Sequence, residues 1–241
     1  MKFFNISVRN TAQGWGIYFA KKQSNSTPGR TSDVLYKTPP REKKQIKLNV
    51  GGAKGHPKMS GWIVVDMRSH ADVVMDISKQ SLPYEDDEVD LIFCSHTLEH
   101  IIPQRLDYVL KEFHRVLNKT TGLLRISVPD IEIAINAYKE RDLLFFENSE
   151  VAPNFKDAPM GGLFASWCYS TRLDRLSGEE SEMRGHVHCF DYDYLAWCLS
   201  RSKFEKVWRS QPRRSACPEL RNSGFDRHLS ESLFVEAVPL A

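Results

Sequence analysis

Two short stretches of the sequence combine imidazole and carboxyl groups that could do acid–base or metal chemistry. His96, Glu99 and His100 follow an apolar run, and His186 and His188 lie in a second stretch. Residues four apart share a face of a helix, and residues two apart share a face of a strand. Known metal sites show tighter ligand signatures with supporting carboxylates, so we predict a general base here and no metal.

The five residues differ in how strongly the sequence supports a functional role. His96 follows Ser95 at the end of an apolar run, which is the expected mouth of a ligand pocket, and we predict that it is catalytic. His100 is interpreted as a buried packing residue. For His186 and His188, a catalytic contact with a second reactant and a structural hydrogen bond are equally consistent with the sequence. We retain both histidines as catalytic candidates. Glu99 is either a general base or a charge favoured by a helix dipole, and the second interpretation is preferred.

The elements that would position these residues are short strands alternating with helices. Compact apolar runs rich in β-branched residues predict strands buried on both faces, at residues 46–50, 62–65, 73–76, 90–94 and 123–129. Residues 103–118 have apolar side chains at helical spacing. The alternation predicts an α/β, Rossmann-like, mostly parallel sheet with helices on both faces and an antiparallel final strand.

The first connections of this predicted sheet are unusually short. Eleven residues, 51–61, join the first two strands, and they include Pro57 and four glycines, which disfavour a helix. The next connection is shorter still. We therefore predict shortened first crossovers, followed by an insertion at about residues 131–185 and then a helix at 191–202 with strands at 205–210 and 232–238.

The carboxyl ends of the strands are the expected place for a ligand, because open α/β sheets bind ligands at that edge. Glycines there let a ligand approach the backbone closely, and a carboxylate can accept hydrogen bonds from a ribose diol. The residues that follow the first four strands are Gly51, Gly52, Asp66, Met67, Asp76, Ile77, Ser95 and His96.

Two segments carry a family resemblance, "DISKQSLPYEDDEVDLIFCSHTLEHI" at residues 76–101 and "VLKEFHRVLNKTTGLLRISVPD" at 109–130. They resemble class I S-adenosylmethionine-dependent methyltransferases, and in particular a small bacterial group of predicted methyltransferases. The resemblance covers residues 46–130 well and residues 188–207 and 231–237 more loosely. It implies that the cofactor is S-adenosyl-L-methionine.

The resemblance also implies a role for each residue at the strand ends. Gly51 and Gly52 would line the methionine and ribose portion, with Asn49 and Met67 also in the cofactor site. Asp66 would bind the ribose hydroxyls, Asp76 and Ile77 the adenine, and Ser95 and His96 would lie beside the sulfonium. Three departures from the family pattern are Asn49 in place of an acidic residue, Ala53 in place of a third glycine, and the turn at 119–122.

The first part of the chain differs in charge from the rest. Residues 1–47 have a balance of +8, whereas the whole chain has +2, so the remainder is mildly acidic. We predict a basic N-terminal arm over residues 1–45 and a methyltransferase-like domain over 46–241. The arm is interpreted as a solvated leader, with possible contact to an anionic surface as the alternative.

The sequence therefore favours a cytoplasmic S-adenosylmethionine-dependent methyltransferase acting on an oxygen or nitrogen of a small-molecule or saccharide acceptor. Five cysteines without a CxxC pair fit reduced thiols in the cytosol. One alternative is a non-catalytic binding or scaffold protein that retains the fold. A nucleic-acid methyltransferase that uses the basic arm is unlikely, because the domain is acidic and lacks the Asn/Asp-Pro-Pro-aromatic motif of base-modifying enzymes.

Overall fold

The computed structural model describes residues 5–11, 14–20, 44–52, 59–149, 157–169 and 185–240. The chain divides into two compact units, Met1–Arg30 and Thr31–Ala241. In the first unit, strands β1 (Asn5–Thr11) and β2 (Gly14–Ala20) pair antiparallel. The sequence analysis interpreted the basic arm as a solvated leader and did not predict these strands. Residues 21–43 lie outside the described residues.

The second unit is built on one seven-stranded sheet. Its strands are β3 (Lys47–Val50), β4 (Ile63–Asp66), β5 (Val73–Val74), β6 (Leu91–Ser95), β7 (Leu123–Pro129), β8 (Phe204–Arg209) and β9 (Ser232–Pro239). Their order is β5-β4-β3-β6-β7-β9-β8. The first five are parallel, and β9 is antiparallel to both β7 and β8. The predicted Rossmann-like, mostly parallel sheet with an antiparallel final strand is confirmed.

The strand order reverses between β3 and β6, which are neighbours in the sheet although β4 and β5 come between them in sequence. In their pairing, Val50 lies opposite Cys94, so the two strands end side by side. This reversal is the topological switch point at which open α/β sheets bind ligands. Residues 59–90, all of which are described, contain no α-helix, in agreement with the predicted short crossovers.

Five α-helices are present in the described residues. They are α1 (Pro103–Val116), α2 (Ile131–Glu140), α3 (Leu143–Asn148), α4 (Met160–Cys168) and α5 (Tyr192–Arg201). The helices predicted at 103–118 and 191–202 are confirmed as α1 and α5. Within the predicted insertion, α4 begins at Met160. Met160, Leu163 and Trp167 are buried together with residues of α2, and this burial outweighs the low helix propensity of the Gly161–Gly162 pair.

The two faces of the sheet are covered differently. Apolar residues of α1 and α5 form the main core with alternate residues of the strands, among them Val50, Cys94 and Ile126. On the opposite face, Trp62, Phe93 and Phe225 pack edge to face with ring centroids about 5 Å apart. Much of this opposite face is covered by residues 210–228, which contain no α-helix. None of the helices in the described part of the chain combines the length and apolar character needed to cross a membrane.

A buried ion network links the segment at residues 210–228 to the sheet. Arg125 of β7 donates to both oxygens of Asp226, at 3.1 and 2.6 Å, and to Glu236 of β9 at 3.0 Å. The side chains of all three are fully buried. Removing charges from water is costly, and here the carboxylates and the hydroxyl of Ser210 satisfy the guanidinium. Residue 125 was predicted only as part of an apolar strand, so the sequence analysis missed this network.

Candidate active site

The turns after β3 and β6 lie in direct contact at the carboxyl edge of the sheet. Gly51 has φ +75°, and a Cβ on it would overlap the hydroxyl of Thr97 and lie 2.9 Å from the Thr97 Cβ. Thr97 is held there because its hydroxyl donates to the carbonyl oxygens of Ser95, at 3.0 Å, and Val50, at 3.3 Å. Both the backbone angle and the close approach therefore require glycine at position 51.

Gly52 is also closely packed. A Cβ at this position would lie 2.9 Å from Val64 Cγ1 and 3.0 Å from Asn49 Nδ2. Asn49 is buried behind this turn, and its cofactor contact stays a prediction. The ring of His70 lies 3.0 Å from the Gly52 carbonyl oxygen, a contact that the sequence analysis missed. Ala53, one of the departures from the family pattern, lies outside the described residues.

Asp66 ends β4 beside these glycines. Its Oδ1 accepts the backbone N–H of Arg68 at 2.9 Å, and its Oδ2 lies 3.7 Å from the Arg68 guanidinium. A carboxylate has about four lone-pair sites, so Asp66 keeps acceptor capacity for further hydroxyl groups although it is largely buried. The neighbouring Met67 is about half exposed.

Asp76 forms a local hydrogen-bonded turn after β5. Its Oδ1 accepts from the backbone N–H of Ser78 at 2.9 Å and from the Ser78 hydroxyl at 2.6 Å, and Lys79 Nζ lies 3.1 Å from Oδ2. Burial acts to raise the pKa of Asp76, but the contacts with Ser78 and Lys79 outweigh it and lower the pKa. Asp76 is thus held ionised. The side chain of Ile77 lies in the main core, which leaves only its backbone for a ligand.

His96 adopts an uncommon backbone conformation for a residue with a side chain, with φ +48°. Its N–H donates to the carbonyl oxygen of Ser127 at 2.8 Å, and the Ser127 hydroxyl donates to the Ser95 hydroxyl at 2.7 Å. Its ring Nε2 lies 2.8 Å from the hydroxyl of Ser232. Such conformations cost about 1–3 kcal/mol and cluster at functional sites.

Glu99 is the centre of a group of histidines that we call the Glu99 cluster: Glu99, His96, His100 and His186. Glu99 belongs to a single 3-10 turn, Leu98–His100, and is fully buried. From its Oε1, Nδ1 of His96 lies 3.3 Å away, and Nε2 of His100 and of His186 each lie 4.0 Å away. The interpretation of Glu99 as a helix-dipole charge is wrong, because the turn is too short and the carboxylate faces imidazoles.

Burial and charge act in opposite directions on the Glu99 cluster. Burial acts to raise the pKa of Glu99, but the three histidines outweigh it and lower the pKa. Burial lowers the pKa of His186 to about 4, with Glu99 opposing the shift. The carboxylate form of Glu99 is therefore favoured in this buried site, whereas His186 is neutral at neutral pH.

The segment that carries His186 and His188 is tied to the turn after β6. The backbone N–H of Val187 donates to the Glu99 carbonyl oxygen at 2.9 Å. His188 is buried, with Nδ1 3.3 Å from the Ile101 carbonyl oxygen and Nε2 2.8 Å from the Tyr194 hydroxyl. The structure brings His186 to Glu99, whereas both ring nitrogens of His188 contact groups of the protein core.

A third stretch, residues 226–232, contributes to the same region and was missed in the sequence. The ring of His228 lies against that of His96, with centroids 4.0 Å apart. Glu231 is buried and contacts the Ser149 hydroxyl and, at 3.3 Å, Trp167 Nε1. The available signal was spacing, because His228 precedes Glu231 by three residues, as His96 precedes Glu99.

Comparison with known proteins agrees with this arrangement. Residues 55–125 match the family model described as "Methyltransferase domain". The matched range includes Asp66, Asp76, His96 and Glu99. No curated protein matches the chain.

Solved structures of low sequence identity are similar in fold. An S-adenosylmethionine-dependent methyltransferase from Archaeoglobus fulgidus is 14% identical over 80% of this chain and 85% of its own, with a TM-score of 0.45. One from Methanosarcina mazei is 17% identical over 83% and 95%, with a TM-score of 0.46. The 1,6-didemethyltoxoflavin-N1-methyltransferase of Burkholderia thailandensis is 13% identical over 81% and 71%, with a TM-score of 0.43.

With identities below 20% and TM-scores below 0.5, these likenesses carry no argument about this chain. The family match is confined to residues 55–125. The chain thus has a Rossmann-like sheet and, over those residues, matches a methyltransferase domain, which supports an enzyme that uses S-adenosyl-L-methionine.

Proposed function

We propose that the chain transfers a methyl group from S-adenosyl-L-methionine to an oxygen or nitrogen of a small-molecule or saccharide acceptor. The observation that supports this most directly is the contact between Gly51 and Thr97 at the switch point. In this contact the side chain of Thr97, which follows β6, packs directly against the backbone of Gly51, which follows β3. Asp66 and Asp76 follow the next two strands of the same parallel set, so two carboxylates border the same edge of the sheet.

The residues at this edge fit the cofactor. We assign the backbone of Gly51 and Gly52 to the methionine portion. Glycine is required at both positions because Thr97, Val64 and Asn49 occupy the space that a Cβ would need. Asp66 has acceptor capacity for the ribose hydroxyls, and Asp76 Oδ2 with the backbone of Ile77 would meet the adenine. Asn49 supplies no charge for the cofactor's ammonium group. When bound, the cofactor supplies an electrophilic methyl group on its sulfonium.

On the acceptor side, we assign His96 as the general base. If Nδ1–H points at Glu99, Nε2 has the lone pair that takes a proton from the acceptor. The Ser232 hydroxyl now occupies that position at 2.8 Å, and the acceptor hydroxyl or amine would replace it. Glu99 would then stabilise the imidazolium form of His96. His186, on the other side of Glu99, is the second candidate, and the contacts of His188 favour a positioning role.

Three further predictions stay open for the same protein. A cytoplasmic location rests on the cysteines and composition of the sequence. Contact of residues 1–45 with an anionic surface rests on their charge, and salt-sensitive association that is lost on deletion of residues 1–40 would support it. Membership of the small bacterial subgroup rests on the quoted motifs.

The proposed activity is tested by a methyl-transfer screen. The full chain is incubated with S-adenosyl-L-methionine and pools of small molecules and saccharides that carry hydroxyl or amino groups. Mass spectrometry should detect one acceptor class that gains a methyl group, together with S-adenosylhomocysteine. His96→Gln should lower turnover by roughly 100-fold or more without a matching loss of S-adenosylhomocysteine affinity. A chain that binds the cofactor but methylates no acceptor would instead indicate the non-catalytic alternative.

A further inference from the structure

We propose that Glu99, His100 and His186 form a binding site for one divalent transition-metal cation, with zinc as the reference ion. The sequence predicts no metal here, because the two histidine pairs lack the tight ligand signature of known metal sites. In the structure, the carboxylate of Glu99 lies between histidines of both pairs. One ligand atom from each of the three residues lies within 4.8 Å of the other two.

The donor atoms need only a small movement to close around an ion. Nε2 of His100 and Nε2 of His186 each lie 4.0 Å from Glu99 Oε1, and the two rings are 5.0 Å apart between centroids. Bonds of about 2.0–2.1 Å in a tetrahedral site place neighbouring donors roughly 3.3 Å apart. Small side-chain rotations that move each donor atom by less than about 1 Å would bring the donors to that spacing.

Glu99 is the observation that points to a ligand. Its carboxylate is fully buried, and within the described part of the chain neither oxygen makes a hydrogen bond of normal geometry. The nearest polar group of those in the Glu99 cluster is Nδ1 of His96, 3.3 Å from Oε1. Buried carboxylates are normally paired or coordinate a metal, because an isolated buried charge costs several kcal/mol. A divalent cation held by two imidazoles satisfies this requirement.

The surroundings of the three ligands are already ordered. The backbone N–H of Val187 donates to the Glu99 carbonyl oxygen, which fixes the His186 segment against the turn that carries Glu99 and His100. The imidazole of His186 also has a hydrogen bond to the backbone of Trp167. Ligating histidines usually bond a carbonyl or carboxylate through their other nitrogen, which orients the ring.

The ligand types select the class of metal. Two imidazole nitrogens and one carboxylate suit zinc, cobalt and related first-row ions, whereas magnesium and calcium prefer oxygen ligands. Two histidines with one glutamate is a three-ligand set of the kind that leaves a fourth position open. If the proposed function is correct, that position lies beside His96 and would be available to an acceptor oxygen. The metal site itself does not depend on that function.

The test is metal titration of the full chain without a histidine tag, after removal of bound metal with a chelator. Zinc binding is measured by isothermal titration, and cobalt binding by the visible absorption of the four-coordinate ion. We expect one equivalent per chain. Glu99→Gln and His186→Gln should each weaken binding by at least ~100-fold, since loss of outer contacts alone costs about 10–100-fold. His114→Gln, a partly exposed histidine on α1, is the matched control and should bind normally.

Two results would overturn the metal site. One is the absence of saturable binding by a chain whose circular dichroism shows that it is folded. The other is binding at a different site, shown either by an affinity that Glu99→Gln and His186→Gln leave unchanged or by a sulfur-to-cobalt charge-transfer band, which would assign the ion to cysteine. S-adenosylhomocysteine is titrated into the same samples. Cofactor binding without metal binding refutes this inference alone, and metal binding without cofactor binding refutes only the proposed function.

Discussion

Nδ1 of His96 lies 3.3 Å from Oε1 of Glu99, and this approach depends on the left-handed backbone of His96. With β-region dihedrals at residue 96, the chain would continue in the direction of β6 and carry Glu99 away from the histidine. The single turn after β6 therefore brings base and carboxylate together. The same turn places Thr97 against Gly51, so it links the acceptor side of the site to the cofactor side.

Gly51→Ala should disrupt the cofactor side of the site. Left-handed backbone at alanine costs about 1–2 kcal/mol, and overlap with the Thr97 hydroxyl adds to that cost. We expect a lower melting temperature and loss of S-adenosylhomocysteine binding by isothermal titration. Gly161→Ala is the control, because a Cβ there meets nothing within 4 Å and alanine favours the helix. Equal stability of both variants would contradict the geometry at Gly51.

Asp66→Asn should weaken cofactor binding while the fold persists. The amide oxygen can still accept the N–H of Arg68, but the variant loses the charge and one acceptor for the ribose. Hydrogen bonds to charged groups contribute about 1.5–3 kcal/mol, so affinity should fall by roughly 10- to 100-fold. Asp107→Asn, which removes a surface carboxylate paired with Lys111 on α1, should leave affinity unchanged. An unaltered dissociation constant for Asp66→Asn would refute the ribose assignment.

Arg125→Met should destabilise the whole sheet. It leaves Asp226 and Glu236 buried without their cation, and breaking a buried ion pair costs about 3–5 kcal/mol. Urea denaturation followed by circular dichroism gives the free energy of unfolding. In contrast, Lys111→Met removes an exposed pair and should cost less than about 1 kcal/mol. Similar losses in both variants would show that the Arg125 network contributes little.

The chain should gain stability from protonation of Asp130 in acid. Burial raises the folded-state pKa of this carboxyl above its usual value, although it caps α2 by accepting the N–H of Glu132. A raised carboxyl pKa means that the folded state binds the proton more tightly. Ionised Asp130 therefore destabilises the folded chain at neutral pH. This destabilisation disappears as pH falls, first through the pKa of Asp130 in the folded state and then through its pKa in the unfolded state.

Asp130→Asn isolates this contribution, because asparagine also caps helices well and does not titrate. Near neutral pH the variant should be at least as stable as the parent chain. As pH is lowered toward 4, the parent should gain stability relative to the variant, measured by thermal unfolding at each pH. A stability difference that stays constant with pH would contradict the raised pKa.

Much of the sheet was predictable because its strands are short, apolar and β-branched. β7 was predicted with the right bounds, and β3, β4, β6 and α1 nearly so. The break between α2 and α3 was not predictable, because it depends on a left-handed Arg141 and the cap from Asp142. Periodicity does not encode such local conformations.

The site was predictable where it follows strand ends and not where it depends on distant segments. Their places at the ends of predicted strands were enough to predict Gly51, Asp66, Asp76 and His96 as candidate site residues. The burial of Glu99 could not be read from the sequence, since it results from the approach of residues 186 and 187. The approach of His228 to His96 likewise requires β9 to pair with β7.

The most direct test of the central claim is isothermal titration of the folded full-length chain with S-adenosylhomocysteine. A pocket at the ends of β3 and β6 predicts saturable binding of one equivalent per chain, weakened by Asp66→Asn and unaffected by Asp107→Asn. Absence of binding at millimolar concentration, with circular dichroism showing an intact fold, would contradict the assignment of this chain as a working methyltransferase.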